Sequence, residues 1–162
     1  MSPLPRVTAQ GRERICREFD DRGPEACVTE ILDDLERSNP EFLKLAERCA
    51  AGLRRIPKFL TGFAMFYRLL VQQWPVRDWR LSPLPRVTAE TCRRVIEKLR
   101  ERGSEPFIAG AVEALECDNP ELLVMVDGFA HRHNDYLALM QAFLVLYEVL
   151  VLQSEADRLS LH

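Results

Sequence analysis

The densest run of side chains able to handle protons or a metal is DGFAHRHND, residues 127–135. On one continuous helix Asp127, His131 and Asp135 fall at i, i+4 and i+8 and share a face, while His133 points elsewhere. Two carboxylates flanking an imidazole could hold a divalent cation or shift a proton. Asn134-Asp135 also reads as the cap of a following helix, which breaks that shared face and leaves a solvated turn between helices. The capped turn is the reading taken forward, and no metal or cofactor is assigned. A small metal-assisted enzyme centred on Asp127 and His131 stands only as a third reading.

No other stretch offers a nucleophile with its base. GxSxG, the P-loop, HExxH and GxGxxG are all missing, and the three histidines include the final residue, His162. The expectation is a protein that is not an enzyme. The five cysteines form no CxxC pair and are odd in number, so neither a zinc site nor a closed disulfide framework is indicated. A reducing cytoplasm is the expected setting.

Two further patches suit binding rather than catalysis. The segment QQWPVRDWRL carries Trp74 and Trp79 with Arg77 and Arg80, a composition typical of interface hot spots, although a connection that must hold two halves in register favours indoles that pin the linker. Residues 1–81 carry 14 Lys/Arg against 12 Asp/Glu, and residues 82–162 carry 8 against 13. The basic excess gathers at Arg48, Arg54, Arg55, Lys58 and Arg68, a face that could contact phosphates or an acidic protein surface. A net charge of −3 over 162 residues excludes strong bulk attraction to nucleic acid or anionic membrane.

These residues are positioned by a repeat. SPLPRVTA occurs at residues 2–9 and again at 82–89, and laying Ser2 on Ser82 sets a register that holds without a gap to the end of the chain. Of the 80 pairs from Ser2/Ser82 to Leu81/Leu161, 25 are identical, eight of them in the octet. The remainder include Arg22-Gly23 with Arg102-Gly103 and Asn39-Pro40-Glu41 with Asn119-Pro120-Glu121. The expected architecture is two tandem units, 1–81 and 82–162, related by a pseudo-twofold and packed as one helical body. In this register Cys16, Cys27 and Cys49 match Ile96, Phe107 and Phe129 and are expected in the core. Cys92 and Cys117 match Arg12 and Arg37 and are expected at the surface, with Arg93, Arg94 and Arg132 the only evident neighbours that could activate a thiol.

Each unit reads as four helices. Thr8 and Thr88 cap the first, with Val7 placed for a hydrophobic staple, and Gly23 and Gly103 end it. The second runs over 25–37 and 106–117. Asn-Pro-Glu opens the third as cap, first-turn proline and first-turn acid. The fourth, over 57–73 and 135–154, is the most apolar, and its Phe63/Phe143 and Tyr67/Tyr147 stripes are expected to face each other near the axis. Residues 136–152 form an apolar run carrying Glu148, too short for a bilayer span, so a buried helix and no membrane are expected. Period-two alternation and hairpin dipeptides are absent, which makes the fold class all-α.

Three explanations of the identical octets stay open: symmetric docking of each lead-in on its own unit, sequence homogenisation, and partner recognition. Composition gives an ordinary globular chain, 47% apolar and 29% charged, and no basic-apolar leader opens it. The functional expectation is a cytoplasmic interaction protein, monomeric as a pseudo-dimer or homodimeric. Its partner-binding residues would be Trp74, Arg77, Trp79 and Arg80, then Arg54, Arg55 and Lys58. The alternative is a nucleic-acid-binding regulator using the basic face.

Overall fold

A computed structural model describes residues 4–53, 56–72, 84–133 and 135–160. Among these residues there are eight helices and no strand: α1 (Ala9–Arg22), α2 (Pro24–Ser38), α3 (Pro40–Ala51), α4 (Ile56–Gln72), α5 (Ala89–Arg102), α6 (Ser104–Asp118), α7 (Pro120–His131) and α8 (Tyr136–Ser160). In the register set by the octets, each of α5 to α8 begins at the position matched to the start of its counterpart in α1 to α4.

Local chemistry accounts for the boundaries. The Thr8 hydroxyl accepts the Gly11 N–H at 3.0 Å, and the Thr88 hydroxyl accepts the Thr91 N–H at 3.2 Å. Gly23 and Gly103 adopt φ of +89° and +85°, a region that costs other residues a steric clash. Each glycine closes one helix by donating its N–H to the carbonyl of Phe19 or Leu99, and opens the next. That double use leaves no linker between the first and second helices. α8 runs on past the expected end at 154, to Ser160.

The apolar spacing decides which faces are buried. Cys27, Ile31 and Leu35 on α2, and Phe107, Ala111 and Leu115 on α6, lie four apart and turn inward. α3 packs on α8 and α5 as well as on α2 and α4, and α7 packs on α4 and α1 as well as on α6 and α8. The third helices therefore tie early and late segments of the chain together. Phenylalanines fill the centre. Phe143 on α8 lies 5.4 Å from Phe59 and 5.6 Å from Phe66 on α4, ring centre to ring centre, and meets Phe129 on α7 edge-on at 5.6 Å. The fourth helices thus meet through rings, but by Phe59 and Phe66 against Phe143 and not by the expected facing stripes: Phe63 packs on Phe42 at 5.6 Å and the Tyr67 hydroxyl donates to Asp34. Burial of each ring contributes about 1.5–3 kcal/mol.

α8 is long and apolar enough, by length and composition, to cross a membrane. Of its most apolar window 61% is buried inside the protein, as in the core helix of a folded body.

One polar feature runs through this apolar interior. The Asn119 side chain, fully buried, accepts the Val7 N–H at 2.8 Å and donates to the Pro5 carbonyl at 2.9 Å. Asn39 repeats the arrangement on the other copy, accepting the Val87 N–H at 2.9 Å and donating to the Pro85 carbonyl at 2.9 Å. Both asparagines stand at helix N-cap positions, but neither side chain caps its helix. The expected cap is corrected accordingly: the amide is taken by the extended PLPRV backbone. Docking of each octet on its own unit is corrected too, since Pro5 and Val7 are held by Asn119, far along the chain, and Pro85 and Val87 by Asn39.

Candidate functional site

Of the sequence-derived candidates, the Asp127 cluster comes together only in part. α7 ends at His131 and α8 starts at Tyr136, with the Asp135 carbonyl accepting the Leu139 N–H at 2.9 Å as the cap of α8. The break takes Asp135 off the face of Asp127 and His131. His131 Nε2 lies 4.0 Å from Asp127 Oδ2, both largely solvated. Asp127 also accepts the Tyr136 hydroxyl proton at 2.5 Å, and this hydrogen bond raises the Tyr136 pKa. Among the described residues no three His, Cys, Asp or Glu side chains gather as a metal site would require. The cluster is a hydrogen-bonded turn that fixes the α7–α8 corner.

Trp74, Arg77, Trp79 and Arg80, together with Arg54 and Arg55, lie outside the described residues. Lys58 and Arg48 are exposed. Arg68 is not available to a partner: its guanidinium sits 2.8 Å from Glu18 and 3.7 Å from Glu30, and Arg22 pairs with the same two carboxylates. At the matched position on α8, Glu148 faces Lys98 at 3.7 Å, so the charges are exchanged across the repeat.

The cysteines need two corrections. Cys16 is exposed and Cys92 is buried, the reverse of the matched-residue reading. Arg12, the match of Cys92, explains the second. It is itself half-covered where α1 meets α7 and pairs with Glu121 at 3.2 Å, so the matched position was never a solvated one. Ile96, the match of Cys16, is only half-buried. Cys27 is buried and Cys117 exposed, as expected. Cys49 is half-buried on α3, and burial away from water, with Cys92 nearby, pushes its thiol up to about 11.

Sequence reasoning missed an apolar opening. Between α6 and the start of α8 lies a groove of about 540 Å³, walled by Ile108, Ala109, Leu137 and Ala138 with Ser104, Glu105 and Gln141 at its edges. Leu137 is 60% exposed there and, with Ile108 and two alanines, forms a clustered apolar wall instead of a lone surface leucine. The matched positions of the first copy hold Val28, Thr29, Pro57 and Lys58, so the polar members of the first half are apolar in the second. A second opening adjoins it past Ala138 and Gln141: a cavity of about 240 Å³ where α3 and α5 meet α8. The signal was present in the aligned pairs Thr29/Ala109 and Lys58/Ala138, but only the packing shows that these positions share one groove.

Comparison of the chain with protein-family models, with curated proteins and with solved structures gave no match.

Proposed function

We propose that this chain is a duplicated helical interaction protein. Two four-helix halves, 1–81 and 82–162, form one body about a pseudo-twofold, and the second half presents an apolar groove to a protein partner. The duplication reading is supported by the constant offset between matched helices and by the reciprocal asparagine clasps. Tying two copies in one chain allows their surfaces to diverge, and only one half then need keep a binding face.

The observation that carries the functional reading is Leu137, standing exposed beside Ile108 and Ala109 in an open groove. Apolar side chains clustered in a concavity lower their free energy when a partner's apolar side chains displace water from it. The occupant is an apolar segment of another protein, and the polar edge of Ser104, Glu105 and Gln141 contributes register. The reading needs no catalytic group, no cofactor and no membrane, and it keeps the chain in the cytoplasm as a pseudo-dimeric monomer. Trp74, Arg77, Trp79 and Arg80 remain candidate contacts for the same partner.

The test is site-specific photocrosslinking in the native cell, with a benzophenone side chain at Leu137 and, as a control, at Lys58. One defined protein adduct from position 137 that survives nuclease and disappears with Ile108→Glu supports the proposal. Adducts to nucleic acid favour the basic-face alternative, and equal smears from both positions sink the groove.

A further inference from the structure

The cavity between α3, α5 and α8 has a counterpart within the same chain that is filled. On the other side of the molecule the Phe129 ring lies so close to Gly62 that a Cβ built on Gly62 would stand 2.5 Å from the ring's Cζ. His133 stacks on that ring at 4.4 Å, and Phe143 meets its edge at 5.6 Å. In the repeat register Phe129, His133 and Phe143 match Cys49, Leu53 and Phe63, and Gly62 matches Ala142. Cys49, Leu53 and Ala142 line the opening of about 240 Å³. One side of the protein packs an aromatic ring between its third and fourth helices. The other has a thiol in place of the phenyl group and the Ala142 methyl in place of the Gly62 hydrogen, and there the helices leave an open hollow instead of a filled contact.

We infer that this cavity is a binding site for a ligand bearing one phenyl-sized ring and, a few bonds away, a carboxylate. An apolar cavity of about 150 Å³ is already enough to hold benzene, so about 240 Å³ accommodates a ring with a short side chain. The walls are Leu45, Leu53, Ile96, Leu99 and Val145, which supply dispersion contacts to a flat group seated in the opening. The Cys49 thiol lines the cavity at the position matched to Phe129. Arg48 sits at the rim, exposed, and among the described residues no carboxylate lies within ion-pair distance of its guanidinium. Its matched residue is Gly128, so the filled counterpart has no such cation. A guanidinium beside an apolar hole selects an acid over an amine or a neutral ring by a charge-assisted hydrogen bond. This site stands independently of the α6–α8 groove, since it rests on the Phe129 comparison and on Arg48.

The experiment is a methyl-resolved NMR titration of the full chain with 3-phenylpropionate, alongside 3-phenylpropanol and propionate. Saturable shifts of Leu53, Ile96, Leu99 and Val145 are expected with 3-phenylpropionate in the millimolar range or tighter. Propionate should give none. Cys49→Phe should abolish binding, and Arg48→Gln should weaken 3-phenylpropionate about 10-fold while leaving 3-phenylpropanol unchanged. If Cys49→Phe does not fold, Ala142→Met fills the same space from α8 and should do likewise. Absence of shifts at these methyls at about 10 mM ligand, or undiminished binding in a folded filled-cavity variant, overturns the proposal. An Arg48→Gln variant that binds the acid as tightly as the parent chain does overturns the role of the arginine.

Discussion

Replacing Asn119 with alanine should cost about 2–4 kcal/mol, far more than the loss of an ordinary exposed asparagine. The side chain makes two hydrogen bonds, to the Val7 N–H at 2.8 Å and the Pro5 carbonyl at 2.9 Å, and is 0% exposed. Truncation leaves both backbone groups buried without a partner, and each such group costs about 1–3 kcal/mol. Water entering the vacated space recovers part of the sum. With an m-value of about 2 kcal/mol/M, the urea midpoint should fall by about 1–2 M at unchanged m. Asn39→Ala should match it, because its bonds to Val87 and Pro85, both 2.9 Å, repeat the same geometry. Asn119→Asp keeps the acceptor for Val7 but turns a donor into an oxygen facing the Pro5 carbonyl, so at neutral pH it should be at least as damaging as alanine. Thr8→Ala, which removes the N-cap of α1, sets a benchmark of about 1 kcal/mol for that cap. An Asn119→Ala cost below about 0.5 kcal/mol would refute the clasp as a stabilising element.

Other outcomes follow from single contacts. Gly62→Ala should destabilise by about 1–3 kcal/mol in thermal unfolding, because the new methyl meets the Phe129 ring, which His133 and Phe143 hem in. Timed alkylation of the native protein at about pH 8 should modify Cys16 and Cys117 first, with Cys27, Cys92 and Cys49 slow until unfolding. Stability should fall on the alkaline side. Burial and the neighbouring Asp34 carboxylate raise Tyr67 to about 12, and burial raises Cys49 to about 11. Groups with raised folded-state values stabilise fully below their unfolded values, and that contribution is lost as pH rises through the folded ones. The unfolded thiol and phenol ionise first, so urea midpoints should drop from about pH 9 upward, and Tyr67→Phe should remove part of the drop above about pH 10.

Much of the backbone plan was legible in the residues. Threonine caps at 8 and 88, glycines at 23 and 103 and prolines at 40 and 120 mark helix ends through interactions within a few residues, so no distant partner is needed to read them. The same holds for the four-apart apolar faces of α2 and α6. Reading failed where a side chain's partner lies far along the chain. Asn39 and Asn119 looked like caps because local chemistry favours that use, and the distant backbone groups that compete for the amide could not be seen. Cys16 and Cys92 were misplaced for a related reason. A residue type matched across a repeat reports on burial only if that type marks a solvated position, and Arg12, the match of Cys92, is itself half-covered where it pairs with Glu121.

By itself, then, the sequence determined the helices, their boundaries and the constant offset between matched ones, because caps, breakers and apolar periodicity act over one or two turns. Tertiary structure alone decided that two asparagines clasp the far PLPRV segments, and that Asp127 ties the α7–α8 corner by accepting the Tyr136 hydroxyl. It also placed an open groove between α6 and α8 and a cavity where α3 and α5 meet α8. Those features depend on which surfaces are pressed together between segments far apart in the chain, and no local preference encodes that choice.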